Sequence, residues 1–260
     1  MNRERNIRLL IAYDGTRFLG WQRQKEGPTI QGTIEGILSR ITQEKISLIG
    51  AGRTDAGVHA WGQVANFRTT SDLTAIKIKT ALKALLPGDI AIRQVREVAS
   101  TFHARYSSKA KIYDYWIWNQ TQVIPFFRHY VWFVREGLNI TLLKDGLFLL
   151  IGEQDFSSFQ SQGSEVANAV RTIYRAEFFP MPWGGFRLRF KADGFLRHMI
   201  RNMVGVLIRV GLKRISMEEF KKIIQSKDRS RAGEMAPAQG LFLRKVLYPE
   251  TEAGDFPPQL

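Results

Sequence analysis

The order of strand-like and helix-like segments is the feature that most constrains what this 260-residue chain can fold into. Short apolar runs and longer segments with a 3.6-residue apolar period follow one another as β-α-β-β-α-β in the first hundred residues. This is the split βαβ order of a ferredoxin-like sheet with its helices on one face. The predicted elements are a strand at 7–13, a helix at 29–42, strands at 46–49 and 63–69, a helix at 73–86 and a strand at 90–98.

The second half of the chain repeats this order loosely. Its predicted elements are a strand at 109–119, a helix at 140–151, strands at 170–179 and 186–191, helices at 195–212 and 216–227, and a strand at 240–248. Ser216 and Glu219 have the spacing of a capping box. We therefore predict an α+β protein with two ferredoxin-like or RRM-like halves and mainly antiparallel sheets, one covering 1–105 and one 106–249. The acidic, proline-containing tail 250–260 is predicted to be disordered.

The charge balance indicates the kind of partner. Lys and Arg number 38 and Asp and Glu 24, which gives a net charge of +14. An excess of this size favours a polyanionic partner, most simply nucleic acid. Charge alone does not distinguish nucleic acid from an acidic membrane surface. No apolar run approaches the ~18 residues of a membrane span. A cytoplasmic protein without membrane attachment is the expectation.

Residue types that carry much of cofactor and metal chemistry are scarce. The chain has no cysteine and only four histidines. The lack of cysteine excludes disulfides, thiolate catalysis and Cys-ligated metals. No two histidines are spaced i, i+4, so no dedicated metal site is predicted.

A glycine-rich segment at 50–62 is the first candidate site. It carries Arg53 and Asp55 on a predicted loop between two strands, where a rigid scaffold often places binding and catalytic groups. Its four glycines allow close backbone approach. The alternative is that Asp55 only caps a turn, with Arg53 paired to it or to solvent.

The predicted helix 195–212 is the second candidate. Arg197, Arg201, Gly205 and Arg209 lie near one face. This is either a solvated face of an amphipathic helix or a face on which Arg201 points into a cleft and keeps a carboxylate ionised. Gly205 would let another backbone pack closely.

Aromatic and basic residues alternate in two predicted strands. Tyr113 lies in an aromatic run at 109–116 that suits base stacking, although aromatic strand residues are more often core. Arg187 and Arg189 share a strand face and are candidates for phosphate contact.

Several of these segments together resemble the tRNA pseudouridine synthase A family. The nine residues Gly-Arg-Thr-Asp-Ala-Gly-Val-His-Ala at 52–60 resemble its catalytic loop and are highly specific. Five further segments match in order: 13–22, 102–105, 111–113, 195–202 and 236–241. The resemblance extends over residues 7–249.

The resemblance implies a homodimer without a cofactor, with two α/β halves around a central catalytic cleft. It implies isomerisation of uridine at positions 38–40 of the tRNA anticodon stem-loop. Asp55 matches the family's nucleophile, and four further residues match the substrate-binding set: Tyr113 stacks on the uracil, Arg201 pairs with the aspartate, Arg53 helps to turn the nucleotide out, and Leu241 lines the pocket.

A single nucleophilic carboxylate is enough for the isomerisation that the resemblance implies. Pseudouridine formation breaks the N1–C1′ bond and joins C5 to C1′, whereas glycoside hydrolysis would require two carboxylates. Ribose C1′ and uracil C6 both remain open as the atom that Asp55 attacks, and Tyr113 is one candidate for removing the C5 proton. Asn66 is a departure from the family pattern, which has a histidine there, so the resemblance does not determine one local hydrogen bond.

Two other functions fit part of the sequence. A non-catalytic RNA-binding or chaperone module explains the charge and the element order but not Asp55 and Arg201. A small-molecule nucleotide enzyme predicts a phosphate loop, which the sequence lacks.

Overall fold

The structure, a computed structural model, describes residues 3–122, 124–161, 168–182 and 184–249. The chain forms two compact units, one from the first 110 residues together with the final strand, and one from Lys111–Leu241. In the described ranges no helix is both long and apolar enough to cross a membrane.

The first unit has the predicted β-α-β-β-α-β order. Its elements are β1 (Arg5–Tyr13), α1 (Ile30–Thr42), β2 (Ile49–Gly50), β3 (His59–Thr69), α2 (Ala75–Leu85) and β4 (Ile90–Val98). β1 is central, antiparallel to β3 on one side and to β4 on the other, and β2 pairs antiparallel with β3. The prediction of a mainly antiparallel α+β half is confirmed here.

Local sequence explains how α1 begins and what it buries. The Thr29 side chain accepts a hydrogen bond from Gly32 N–H, as expected of an N-cap. Ile30, Ile34 and Leu38 are fully buried because the 3.6-residue period places them on one face. This stripe is part of the apolar core of the first unit, together with buried residues of β1, β3 and α2.

The second unit is also α+β. Its elements are β5 (Ala110–Trp118), β6 (Trp132–Phe133), α3 (Ile140–Phe148), β7 (Gly152–Asp155), β8 (Val170–Pro180), β9 (Phe186–Ala192), α4 (Met199–Gly211) and α5 (Met217–Ser226). β9 lies between β5 and β8, antiparallel to both, and β7 pairs with β8. The predicted capping box of Ser216 and Glu219 is present at α5.

α4 starts four residues later than the sequence pattern predicts. His198 has a φ of 64° and precedes the first helical residue, so residues 195–197 lie outside the helix. The apolar period extends upstream of Met199, and no proline or glycine marks the start. β6 and β7 were not predicted, since they are only two and four residues long.

The final strand, β10 (Leu241–Leu247), departs from the predicted organisation. Phe242 and Leu243 pair in parallel with His59 and Ala60 of β3. Residues 242–249 therefore group with the first unit, whereas the sequence pattern predicts that they belong to the C-terminal half. A local apolar pattern predicts a strand but not the partner it pairs with. The predicted tail 250–260 lies outside the described residues.

Candidate active site

The glycine-rich loop connects β2 to β3 and is fixed to β3 near its start. The Gln63 side chain donates from Nε2 to the Gly52 carbonyl oxygen at 2.6 Å. The Val58 N–H donates to the Asp55 carbonyl oxygen at 3.1 Å, which closes a turn. Asp55 is half-buried at this turn, and Arg53 is exposed two residues earlier. The structure thus brings Arg53 and Asp55 onto one short, hydrogen-bonded loop.

Thr54, the residue before Asp55, is hydrogen-bonded to Tyr13 at the end of β1 and to Trp21 in the segment that follows β1. Thr54 is buried, its hydroxyl lies 2.8 Å from the Tyr13 hydroxyl, and its carbonyl oxygen accepts from Trp21 N–H at 3.0 Å. Burial raises the pKa of Tyr13 far above its usual value, and hydrogen bonds to Thr54 and Gln63 only partly oppose this. Tyr13 therefore stays neutral and keeps its hydroxyl bonded to the loop.

Two glycines of the same segment allow the backbones to approach. Gly20 has a φ of 94°, and a Cβ there would lie 2.6 Å from the Thr54 carbonyl oxygen. A Cβ on Gly15 would lie 2.0 Å from the Val58 carbonyl oxygen. Neither position has room for a side chain. This explains physically why the motif at 13–22 and the motif at 52–60 occur together.

His59 is a buried residue of the loop motif to which the sequence assigned no role. Its Nδ1 accepts from Gly15 N–H at 3.0 Å, and its ring stacks on Phe242 with centroids 4.7 Å apart. The histidine thus links the segment after β1 to β10. Its place inside the loop motif at 52–60 was the available signal.

In the second unit, Tyr113 occupies the middle of β5. Its side chain is 6% exposed, and its ring meets Phe195 edge-on, with centroids 5.1 Å apart. Tyr113 lies opposite Phe190 of β9. The ring of Tyr113 is therefore buried and contacts the segment that precedes α4.

Arg201 lies in the first turn of α4 and is half-buried rather than solvated. Its Nε donates to the Ala236 carbonyl oxygen at 2.8 Å, and Ala236 N–H donates back to the Arg201 carbonyl oxygen at 3.1 Å. A Cβ on Gly205 would lie 2.2 Å from the Glu234 carbonyl oxygen. The expectation that Gly205 admits another backbone is confirmed, and the segment it admits is the one carrying the 236–241 motif.

The 236–241 motif is also fixed against β5. The Tyr115 hydroxyl donates to the Pro237 carbonyl oxygen at 2.7 Å, and a Cβ on Gly240 would lie 2.8 Å from the Tyr115 ring. Burial raises the pKa of Tyr115, and the positive charge of Arg201 opposes that rise. Leu241 follows directly and is buried. Tyr113, Arg201 and Leu241 are thus all held by contacts within the second unit.

The other arginines of the predicted stripe have different surroundings. Arg197 is exposed and precedes the helix, so it does not share a helical face with Arg201. Arg209 donates from Nη1 to the Ala232 carbonyl oxygen at 3.4 Å. The sequence spacing alone did not distinguish these three environments.

Asp114 is an acid that the sequence pattern did not single out. It is 1% exposed on β5, and Arg189 of β9 donates to both its oxygens, at 2.7 Å from Nε and 2.8 Å from Nη2. This hydrogen bonding raises the pKa of Arg189. The guanidinium groups of Arg187 and Arg189 lie 4.9 and 5.2 Å from the Phe179 ring centre. Arg189 therefore supports the fold through Asp114, and phosphate contact by Arg187 and Arg189 stays a prediction.

Asn66, the departure from the family pattern, has hydrogen-bond partners. Its Oδ1 accepts from Ala104 N–H at 2.9 Å, and its Nδ2 donates to Asn6 Oδ1 at 2.9 Å. The amide thus satisfies a buried position without a ring nitrogen. Among the described residues no group of three His, Cys, Asp or Glu side chains could hold a metal ion.

Comparison with known proteins assigns the family. The family model described as tRNA pseudouridine synthase matches residues 9–107 and 147–249. A tRNA pseudouridine synthase A of Thermoanaerobacter sp. (strain X514) is 42% identical over 249 residues, covering 94% of this chain and 100% of the relative. One of Maridesulfovibrio salexigens is 43% identical over 250 residues, covering 95% and 92%.

Two further matches complete the comparison. A tRNA pseudouridine synthase A of Acetivibrio thermocellus is 43% identical over 244 residues, covering 94% of this chain and 100% of the relative. Among solved structures, a chain of a Cbf5-Nop10-Gar1 complex aligns with a TM-score of 0.36 and 14% identity, covering 78% of this chain and 45% of that one, a likeness too low to support a conclusion. On the family model and the relatives, the chain belongs to the tRNA pseudouridine synthase family.

Proposed function

We propose that this chain isomerises uridine to pseudouridine at positions 38–40 of the tRNA anticodon stem-loop, with Asp55 as the nucleophile. The observation that carries the proposal is the way Asp55 is presented. Its neighbour Thr54 is held through side chain and backbone, and Val58 closes the turn behind it. A carboxylate on such a loop is positioned before the substrate arrives, which is what nucleophilic catalysis requires.

The reaction needs no external oxidant or reductant. The N1–C1′ bond breaks, the uracil turns, C5 joins C1′, and the proton on C5 moves to solvent as N1 gains one. Asp55 forms a transient bond to the nucleoside, at ribose C1′ or at uracil C6, and is released unchanged. The target base must first leave its stack, which costs a few kcal/mol.

Four residues are proposed to bind the target nucleotide: Arg53, Tyr113, Arg201 and Leu241. The exposed Arg53 lies two residues from the nucleophile, and its guanidinium can contact the RNA backbone at the nucleotide that turns out of the stack. Tyr113 supplies a ring for the uracil, and Leu241 an apolar wall. Arg201 supplies a positive charge that keeps the nucleophilic carboxylate ionised.

The net charge of +14 supports tRNA as the partner. We further propose that the enzyme acts as a homodimer in the cytoplasm, in line with its family. Static light scattering of the purified protein tests the dimer directly, since a mass near 29.8 kDa would contradict it.

The proposed position is tested by incubating the protein with unmodified tRNA and mapping carbodiimide-induced reverse-transcription stops. New stops at positions 38–40 are expected with the wild-type chain and none with Asp55→Asn. Stops elsewhere in the tRNA would contradict the proposed position, and stops with Asp55→Asn would contradict the proposed nucleophile. No stops with the wild-type chain would favour the RNA-binding module.

A further inference from the structure

Trp61 is an exposed aromatic residue in a strand that is otherwise mostly buried. It is the third residue of β3, and 44% of it is exposed, whereas His59, Ala60 and the residues 62–67 are all buried. A substantial part of this large indole therefore faces water and can be reached by a ligand. The family motif at 52–60 ends just before it, so the proposed function assigns Trp61 no role.

Trp61 lies close to the proposed nucleophile. Trp61 is the third residue after Val58, whose N–H closes the turn on the Asp55 carbonyl oxygen, and a step of three residues along a strand spans about 10 Å. Its neighbour Ala60 lies opposite Tyr13, and the Tyr13 hydroxyl contacts Thr54 beside Asp55. The backbone that carries the indole is therefore near the turn that carries Asp55.

Two arginines lie on the elements next to this position. Arg93 of β4 donates from Nη1 to the Trp61 carbonyl oxygen at 3.0 Å, which fixes a guanidinium beside the indole-bearing backbone. Arg53 is exposed on the adjoining loop. An exposed aromatic next to cations is the combination that binds unpaired nucleotides, because a base stacks on the ring while the phosphate meets the charge.

We propose that Trp61 is an RNA-stacking residue that binds an unpaired nucleotide next to the target uridine. This inference rests on the proposed function and adds a subsite to it. The occupant is RNA rather than a second copy of the chain, since Arg93 and Arg53 attract phosphate and would repel the same arginines of another copy. Trp61 acts in binding and takes no part in bond making.

The chain contains a matched control, Tyr106. This residue is 76% exposed and lies at the other end of β3, on a turn whose Ala104 N–H donates to Asn66. Asn66 is five residues beyond Trp61, about 16 Å along the strand. Tyr106 also has a guanidinium nearby, with Arg105 5.6 Å from its ring centre. The two residues thus share exposure and a neighbouring cation but differ in their distance from Asp55.

The test compares Trp61→Ala, Trp61→Phe and Tyr106→Ala for tRNA binding and pseudouridine formation. Trp61→Ala should raise the Kd and the KM for tRNA by about 5- to 150-fold, the range of one lost base–aromatic stack. Its kcat at saturating tRNA should stay within about threefold of wild type. Trp61→Phe should recover most of the affinity, and Tyr106→Ala should bind like wild type.

Two results would overturn the proposal. One is a Trp61→Ala protein that binds tRNA as tightly as Tyr106→Ala does. The other is a loss of mass in light scattering with Trp61→Ala, which would assign the indole to an interface between copies. Failure of the proposed function has a different signature, because the wild-type protein would then form no pseudouridine whatever the binding of the variants.

Discussion

Asp55 and Asp114 both lie within motifs shared with the family or directly beside them, yet their surroundings differ. Asp114 is 1% exposed in the middle of a strand, and one guanidinium binds both its oxygens. Asp55 is half-buried at a turn whose backbone is held by its neighbours. The first carboxylate contributes to the fold, whereas the second is the one that we propose as the nucleophile.

This difference shows how one chain uses the same functional group in two ways. A bidentate partner satisfies a buried carboxylate and leaves it little capacity for a substrate. For Asp55, the contacts of the adjacent residues Thr54 and Val58 set the position of the backbone, which is the arrangement we propose for the nucleophile. The predictions below test each side of this comparison.

Removing Asp114 should have the largest effect on stability. Asp114→Ala leaves Arg189 as a half-buried charge without its main partner, so the free energy of unfolding should fall by about 3–5 kcal/mol. Urea denaturation monitored by circular dichroism measures it. Glu136→Ala is the matched control, because it removes an exposed pair with Arg214 at 2.7 Å and should cost less than about 1 kcal/mol. Equal losses for the two variants would contradict the structural role of Asp114.

A side chain at Gly20 should strain the loop that presents Asp55. Gly20→Ala places a Cβ against the Thr54 carbonyl oxygen at a positive φ, and we expect a loss of about 1–3 kcal/mol together with a lower kcat. Gly36→Ala, in α1 with nothing within 4 Å of the new Cβ, should instead be neutral or stabilising by up to about 1 kcal/mol. A Gly20→Ala enzyme with wild-type kcat would show that the loop tolerates displacement.

Loss of the Tyr13 hydroxyl should have the smallest effect. Tyr13→Phe removes the contact with Thr54 and should cost about 0.5–1.5 kcal/mol at pH 7. Tyr106→Phe, which removes a hydroxyl from an exposed ring, is the control.

The stability of Tyr13→Phe should also depend on pH differently from that of the wild type. Burial raises the pKa of Tyr13, so the folded state holds its proton after the unfolded chain loses it near pH 10. This stabilisation is complete below pH 10 and declines above it by about 1.4 kcal/mol per pH unit. Stability measured from pH 9 to 11.5 should therefore fall less steeply in Tyr13→Phe. Parallel curves would contradict the buried, neutral hydroxyl.

Much of the first unit could be predicted from local pattern. The apolar stripe and the Thr29 cap determine α1, and alternating or continuous apolar runs determine β1 and β4. These are signals carried within ten or fifteen residues. The late start of α4 at Met199 depends on the backbone conformation of His198, and the parallel pairing of β10 depends on residues far away in sequence. Local periodicity does not encode either.

The site residues also divide into those that local sequence predicts and those that depend on residues far away in the chain. The candidates Arg53 and Asp55 could be named from one motif, and the structure adds what holds them, namely the Tyr13 hydroxyl and the glycine contacts. The role of Asp114 could not be predicted, because an acid between two tyrosines gives no indication of its cross-strand partner. That partner, Arg189, is specified by the register of β5 and β9.

The account is tested most directly by measuring tritium release from tRNA labelled at uridine C5 with the Asp55→Asn and Asp114→Asn proteins, each at a temperature where it is fully folded. We expect Asp55→Asn to lose on the order of 10³-fold or more in kcat while its tRNA affinity and unfolding free energy stay near wild type. Asp114→Asn should lose stability and retain kcat within about tenfold. Tritium release by Asp55→Asn at the wild-type rate would contradict the assignment of Asp55 as the nucleophile.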